Sequence, residues 1–243
     1  MTSSMLKIIA CLLMLIDHTG AVFFPKVLIL RMIGRLSFPI FAYLIAMGYS
    51  KTHSFSKYFS RLVIFAAVSQ IPFSLAFGEK VNIQSLSAFI TFFVVKPYPH
   101  LNVFFTLTVG LLAIRIWDKG KSKFGSIFII LALGIVAKYF NTDYGIYGVV
   151  MILTFYIFRN SKIKIIISQV IVYILFNASE NLYYCYKFQV PKIEFAWFIQ
   201  VLSLLALIII FLYNGKKGKN LKYIFYVFYP LHLLVIGLIK NFM

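Results

Sequence analysis

The 243 residues are 62% hydrophobic and only 12% charged, with 24 Lys and Arg against six acids and a formal net charge of +18. A soluble domain carries about 25% charged residues, so composition excludes one and predicts an all-α, polytopic transmembrane helix bundle with a lipid bilayer as its first partner. Most basic residues fall between apolar runs, so loop placement explains the positive charge and nucleic acid is excluded as a partner.

In chain order, the first apolar run covers 5–24. At ~1.5 Å per residue, roughly 20 residues cross the ~30 Å of a hydrocarbon core. This run carries Asp17 and His18 most of the way through. It is too long for a cleaved signal and contains an acid, so it is expected to stay attached. Further spans are predicted over 33–50, 58–77, 101–117, 124–140, 143–158, 163–179, 194–213 and 221–239, about nine in all. The stretch 81–99 is polar in its first half and ends at two prolines, which reads as a re-entrant or interfacial segment, with a tenth crossing as the alternative. With no internal repeat and no Pro/Ser-rich linker, 1–243 is read as a single integral membrane domain. Pro39, Pro72 and Pro230 stand inside spans and are expected to kink them. Cys11 and Cys185 form no metal or redox motif, and Cys11 reads as a packing residue.

Orientation follows from the basic residues. Fifteen of the 24 fall near the start and in the connections after the second, fourth, sixth and eighth spans, which predicts that side to be cytosolic in a multi-pass protein of the cell membrane. Five of the six acids, Asp17, Glu79, Asp143, Glu180 and Glu194, then lie toward the outer half.

An ionisable pair inside a span is costly and normally faces a wet cavity or a partner. His18 is the first candidate base, because a neutral imidazole is easily poised near neutral pH; a hydrogen-bonded core histidine is the alternative. Neighbours on a helix point about 100° apart, so Asp17 is expected to pair elsewhere, with Arg31 or Arg35. Those two arginines stand four apart and read as an anion-binding fork, a salt bridge to Asp17, or interfacial snorkelling. His232 follows Pro230 near the middle of the last span, and Tyr229, one turn earlier, offers a hydroxyl to its imidazole. Asn102, Asp143 and Glu180 complete an outer-half polar set, each individually a helix cap or loop residue and together a cleft. His53 and His100 read as loop residues. Four scattered histidines without a ligand motif make no metal site, and hydrolase and nucleotide fingerprints are absent.

Several stretches are specific enough to carry a resemblance: LKIIACLLMLIDHTGAVFFP, LRMIGRLSFPIFAYLIAMGYSKT, YFSRLVIFAAVSQIPFSLAF, LNVFFTL, DYGIYGV and LYNGKKGKNLKYIFYVFYPLHL. In these the chain resembles the TraX family of membrane proteins associated with N-terminal acetylation of conjugative pilin. The resemblance implies an integral membrane acyltransferase that uses acetyl-CoA on an extracytosolic acceptor, a peptide amine or a glycan hydroxyl. Under it, His18 would be the base, with Arg35, Tyr229 or His232 as oxyanion donors. Asp17, His18, Tyr229 and His232 form the expected catalytic set. Arg31, Arg35, Arg61, Arg115 and Arg159 are the candidates to bind the cofactor, Arg61, Arg115 and Arg159 through its phosphates. Asn102, Asp143 and Glu180 are the candidates to bind the acceptor. A proton-coupled transporter or flippase and a non-catalytic assembly protein are the competing readings. Transporters usually show paired repeats, which this sequence lacks.

Overall fold

The computed structural model describes residues 1–78, 100–188, 199–219 and 222–243. Among these the named elements are all helical: α1 (Ser3–Phe23), α2 (Leu28–Gly34), α3 (Ser37–Ser50), α4 (Phe55–Phe77), α5 (Val103–Lys119), α6 (Lys123–Tyr139), α7 (Gly145–Ile157) and α8 (Lys162–Tyr173). A π turn (Ile174–Ala178) leads from α8 into α9 (Ser179–Phe188); a 3-10 turn (Ile199–Leu205), α10 (Ala206–Phe211) and α11 (Lys222–Phe242) follow. The predicted re-entrant stretch 81–99 lies outside the described residues, as do Glu79 and Glu194.

Four stretches are long and apolar enough to cross a membrane: Ser3–Phe23, Leu28–Ser50, Phe55–Phe77 and Tyr223–Phe242. The other predicted crossings hold shorter helices. At 17 residues, α5 and α6 rise only about 25 Å. By length and composition, four of the predicted spans stand out among the described residues. The lipid-facing surface is written on the same helices. Leu231, Val235 and Ile239 on α11, and Ile64, Val68 and Ile71 on α4, are all exposed and spaced three or four apart. Apolar stripes of this extent need lipid rather than water. The chain is a multi-pass membrane protein.

Helix ends follow ordinary capping chemistry. Thr2, Ser54, Asn102, Ser122 and Ser161 each accept a backbone N–H of the first turn of the helix they precede. The second span breaks at Arg35-Leu36, between α2 and α3, so Pro39 sits in the first turn of α3, where its missing N–H costs nothing. Pro72 and Pro230 do lie inside α4 and α11.

α3 is the buried centre, packed against α1, α5, α7 and α10, while α11 lies along α4 and also touches α1. Lipid tails are as apolar as the side chains, so close van der Waals fit rather than exclusion of water holds such a bundle. Gly237 shows the fit: a Cβ there would come 2.8 Å from Leu75 Cβ and 3.0 Å from the backbone of Ala76. The two ends of the bundle are tied separately. At one end Ser4 Oγ donates to the Lys217 and Lys219 carbonyls, and Lys51 Nζ donates to the Gly215 carbonyl at 2.6 Å. At the other, Lys240 Nζ donates to the Ala76 carbonyl at 3.1 Å.

Candidate functional site

His18 and His232, 214 positions apart in the chain, meet in the interior. His18 Nδ1 lies 2.8 Å from His232 Nε2, with the rings only 9° from parallel. The protons can be assigned from the next link. His232 Nδ1 lies 2.7 Å from the Phe228 carbonyl oxygen, one turn back on α11. A carbonyl only accepts, so Nδ1 of His232 carries the hydrogen and its Nε2, in the neutral ring, is an acceptor. His18 must then donate from Nδ1, which leaves the lone pair of His18 Nε2 free. Helical side chains lean toward the N-terminus of their helix, which is why the His232 ring falls back over Phe228.

Tyr229 does not supply the hydroxyl expected for His232. Its ring packs edge-on to both imidazoles, with centroids 5.6 Å from His232 and 6.1 Å from His18. A phenol three positions away carries its oxygen past the imidazole instead of to it. The hydroxyl is buried without a well-formed hydrogen bond, although the Val103 N–H lies close enough to interact with its oxygen.

Asp17 turns away from His18, as the 100° step requires, and meets Arg31 at 2.7 Å. The same Arg31 nitrogen donates to the Asp17 backbone carbonyl at 3.2 Å, so the contact is a single-nitrogen ion pair and not a two-pronged fork. Asp17 Oδ1 is buried without a hydrogen bond. Arg35 lies beside Tyr144 and Asp143 in the same cavity wall.

These groups line a cavity of about 280 Å³ whose walls include Asp17, His18, Arg31, Arg35, Asp143 and Tyr144. A second, larger cavity of about 380 Å³ occupies the other half of the bundle. It is mostly apolar, with Tyr229 in its wall, and carries Lys7, Lys51, Arg61 and Lys217. The last three of these come from the loop and helix ends that gather at the basic end of the bundle.

The remaining predicted residues are placed elsewhere. Arg115 lies over the Phe55 ring and Arg159 over the Tyr156 ring, and neither lines either cavity. Asn102 is fully used in structure: Nδ2 donates to the Ala66 carbonyl and to Gln70 Oε1, and Oδ1 accepts the Phe104 N–H. The backbone of Glu180 falls in α9, and its side chain lies outside the described residues. Three polar residues of this cavity have no role in the sequence reading: Ser37, His100 and Tyr144. Tyr144 is stacked on Phe38 with ring centroids 3.6 Å apart. Its signal was its place directly after Asp143 at the head of a span.

Residues 2–240 match the family described as TraX protein. The chain belongs to the TraX family. It is similar to the probable fimbrial assembly protein FimC, serogroup H1, of Dichelobacter nodosus, with 33% identity over 154 residues, 61% of this chain and 59% of that one. It is also similar to the uncharacterized protein RP591 of Rickettsia prowazekii (strain Madrid E), 29% identical over 75 residues, 31% of this chain and 28% of that one. The chain thus spans less than two thirds of the length of either relative. No solved structure matches it. It is a multi-pass membrane protein of that family, with Asp17, His18 and His232 buried inside the bundle.

Proposed function

We propose that this TraX-family chain is an integral membrane acetyltransferase that moves an acetyl group from cytosolic acetyl-CoA to the N-terminal amine of a pilin-like or other small extracytosolic peptide. The observation that carries this reading is a pair of cavities that share Met14, Phe41 and Val103 in their walls, one mostly apolar with a basic mouth, the other polar with His18 in its wall. Kinship with a fimbrial assembly protein supports the peptide acceptor.

The larger cavity fits the donor. Lys7, Arg61 and Lys217 would meet the CoA phosphates, and the apolar shaft would take the pantetheine arm toward the middle of the bundle. At ~1.5 Å per residue, Met14 stands about 16 Å along α1 from Ser3, and His18 one turn further. The arm therefore need not cross the whole bundle to bring its thioester near the histidines. In the smaller cavity the acceptor amine would lie against His18 Nε2. The amine nitrogen attacks the thioester carbonyl carbon, forming the C–N bond. His18 Nε2 takes the amine proton, the C–S bond breaks, and the CoA sulfur leaves and recovers a proton from the imidazolium. An N-terminal amine with a pKa of about 7.7–8 gives up its proton to a histidine at modest cost. Tyr229 OH, with no imidazole to bond, is the donor best placed to stabilise the oxyanion from the donor side.

The test uses the purified full chain. Acetyl-CoA is expected to raise its melting temperature where ATP does not, and a peptide with a free N-terminus is expected to gain one acetyl group by mass spectrometry. Stabilisation absent, together with no acetylated peptide or glycan, defeats the reading and leaves a transporter.

A further inference from the structure

Met14, Phe41 and Val103, one each from α1, α3 and α5, line both cavities. They are the wall across which the two spaces meet. Tyr229 stands on one side of that wall and His18 on the other. Met14 precedes His18 by one turn on the same face of α1. Met14 and Val103 are buried, and all three side chains are apolar.

On the acyl-transfer reading above, a thioester held in the larger cavity has to present its carbonyl carbon to a nucleophile in the smaller one, so its acyl end must lie against this wall. A two-carbon acyl group ends there. A longer chain has to displace Met14, Phe41 or Val103 and then enter a space walled by Asp17, Arg31 and Arg35, where an alkyl tail would strip water from charged groups without replacing their contacts. The charged cavity is also the space the acceptor needs.

We propose that Met14, Phe41 and Val103 are the acyl-size selector of this protein, restricting the donor to short acyl groups. Neither histidine is needed for that discrimination. It is a matter of volume at the wall, where each methylene is worth about 10- to 200-fold in rate ratio.

The experiment compares acetyl-, butyryl- and hexanoyl-CoA as donors to one free-amine peptide, with purified wild type, Met14→Ala and Phe41→Ala, reading kcat/KM from peptide mass spectra. Wild type is expected to prefer acetyl over butyryl by tenfold or more, and the Ala variants to narrow that ratio by about tenfold. Met14→Leu and Phe41→Leu, which conserve most of the volume, are expected to keep the wild-type preference. Val103→Leu adds bulk to the same wall and is expected to sharpen it, which gives a readout even if the Ala variants do not fold. A wild-type protein that transfers butyryl as well as acetyl, or variants that all share one chain-length profile, overturns the selector while leaving acyl transfer standing. Transfer from no acyl-CoA at all is a different failure: it removes the underlying reading and the selector with it.

Discussion

At the scale of single residues, the two histidines have unequal roles. The Phe228 carbonyl fixes the tautomer of His232, and His232 in turn fixes that of His18, so the lone pair that can accept a proton sits on His18 Nε2. His18→Ala is expected to lower peptide acetylation by about 10²–10⁴-fold while leaving acetyl-CoA stabilisation intact. His232→Ala should cost less, because the base survives but loses the acceptor that orients it. His232→Gln should then recover part of the loss, since an amide oxygen can still accept from His18 Nδ1. A purely structural His232 would give parallel losses of melting temperature and rate with no recovery by Gln. Sequence exposed His18 as unusual and Asp17 as needing a cation, because an acid inside an apolar run needs a partner and Arg31 and Arg35 enter the second span from the same side. It could not pair His18 with His232, since nothing local couples residues on the first and last spans. Nor could it separate Arg61 from Arg115 and Arg159: all three stand near an end of an apolar run and all three lie over aromatic rings, and only packing brings Arg61, and not the other two, to a cavity wall.

At the scale of elements, the break between α2 and α3 brings the site together. Because the second span stops at Gly34 and restarts at Ser37, Arg31 and Arg35 can face the far half of α1 while Ser37 Oγ donates to the Ala10 carbonyl on its near side. Gly34 is the contact point. A Cβ there would clash with Asp17 Cβ and Oδ1 and come 2.6 Å from its Cα, so backbone as well as side chain must give way. Gly34→Ala is expected to destabilise the protein by about 1–3 kcal/mol and to loosen the Asp17–Arg31 pair, read as a lower melting temperature and weaker acetylation together. An unchanged melting temperature would show that α1 and α2 slide apart at no cost. In the sequence, the glycine between two arginines was visible as a place for close approach. The break itself was not, because LRMIGRLSFPIF is continuous in hydropathy and its proline sits two residues inside α3. The same limit applies to the apolar runs: each announces burial in protein or lipid without distinguishing them, and α7, with eight buried residues among its thirteen, is buried largely against protein.

At the scale of the molecule, the charge distribution predicts how the bundle is threaded. The N-terminus, Lys51 and the 213–217 loop are hydrogen-bonded into one end, and the same end holds the basic mouth of the larger cavity. Loops rich in Lys and Arg stay on the cytosolic face during insertion. Acetyl-CoA is a phosphate-bearing cytosolic compound, so insertion and donor chemistry demand the same orientation. With Cys11 and Cys185 replaced by serine, Lys121→Cys and Lys217→Cys are expected to react with a membrane-impermeant maleimide only after cells are opened, whereas a cysteine at Lys26, beyond the far end of α1, should react in intact cells. Labelling of position 121 or 217 from outside would turn the bundle over and put the basic cavity where no acetyl-CoA reaches it. The acetyl donor would then have to be sought among extracytosolic compounds, and Arg31 and Arg35 would face the cytosol in its place.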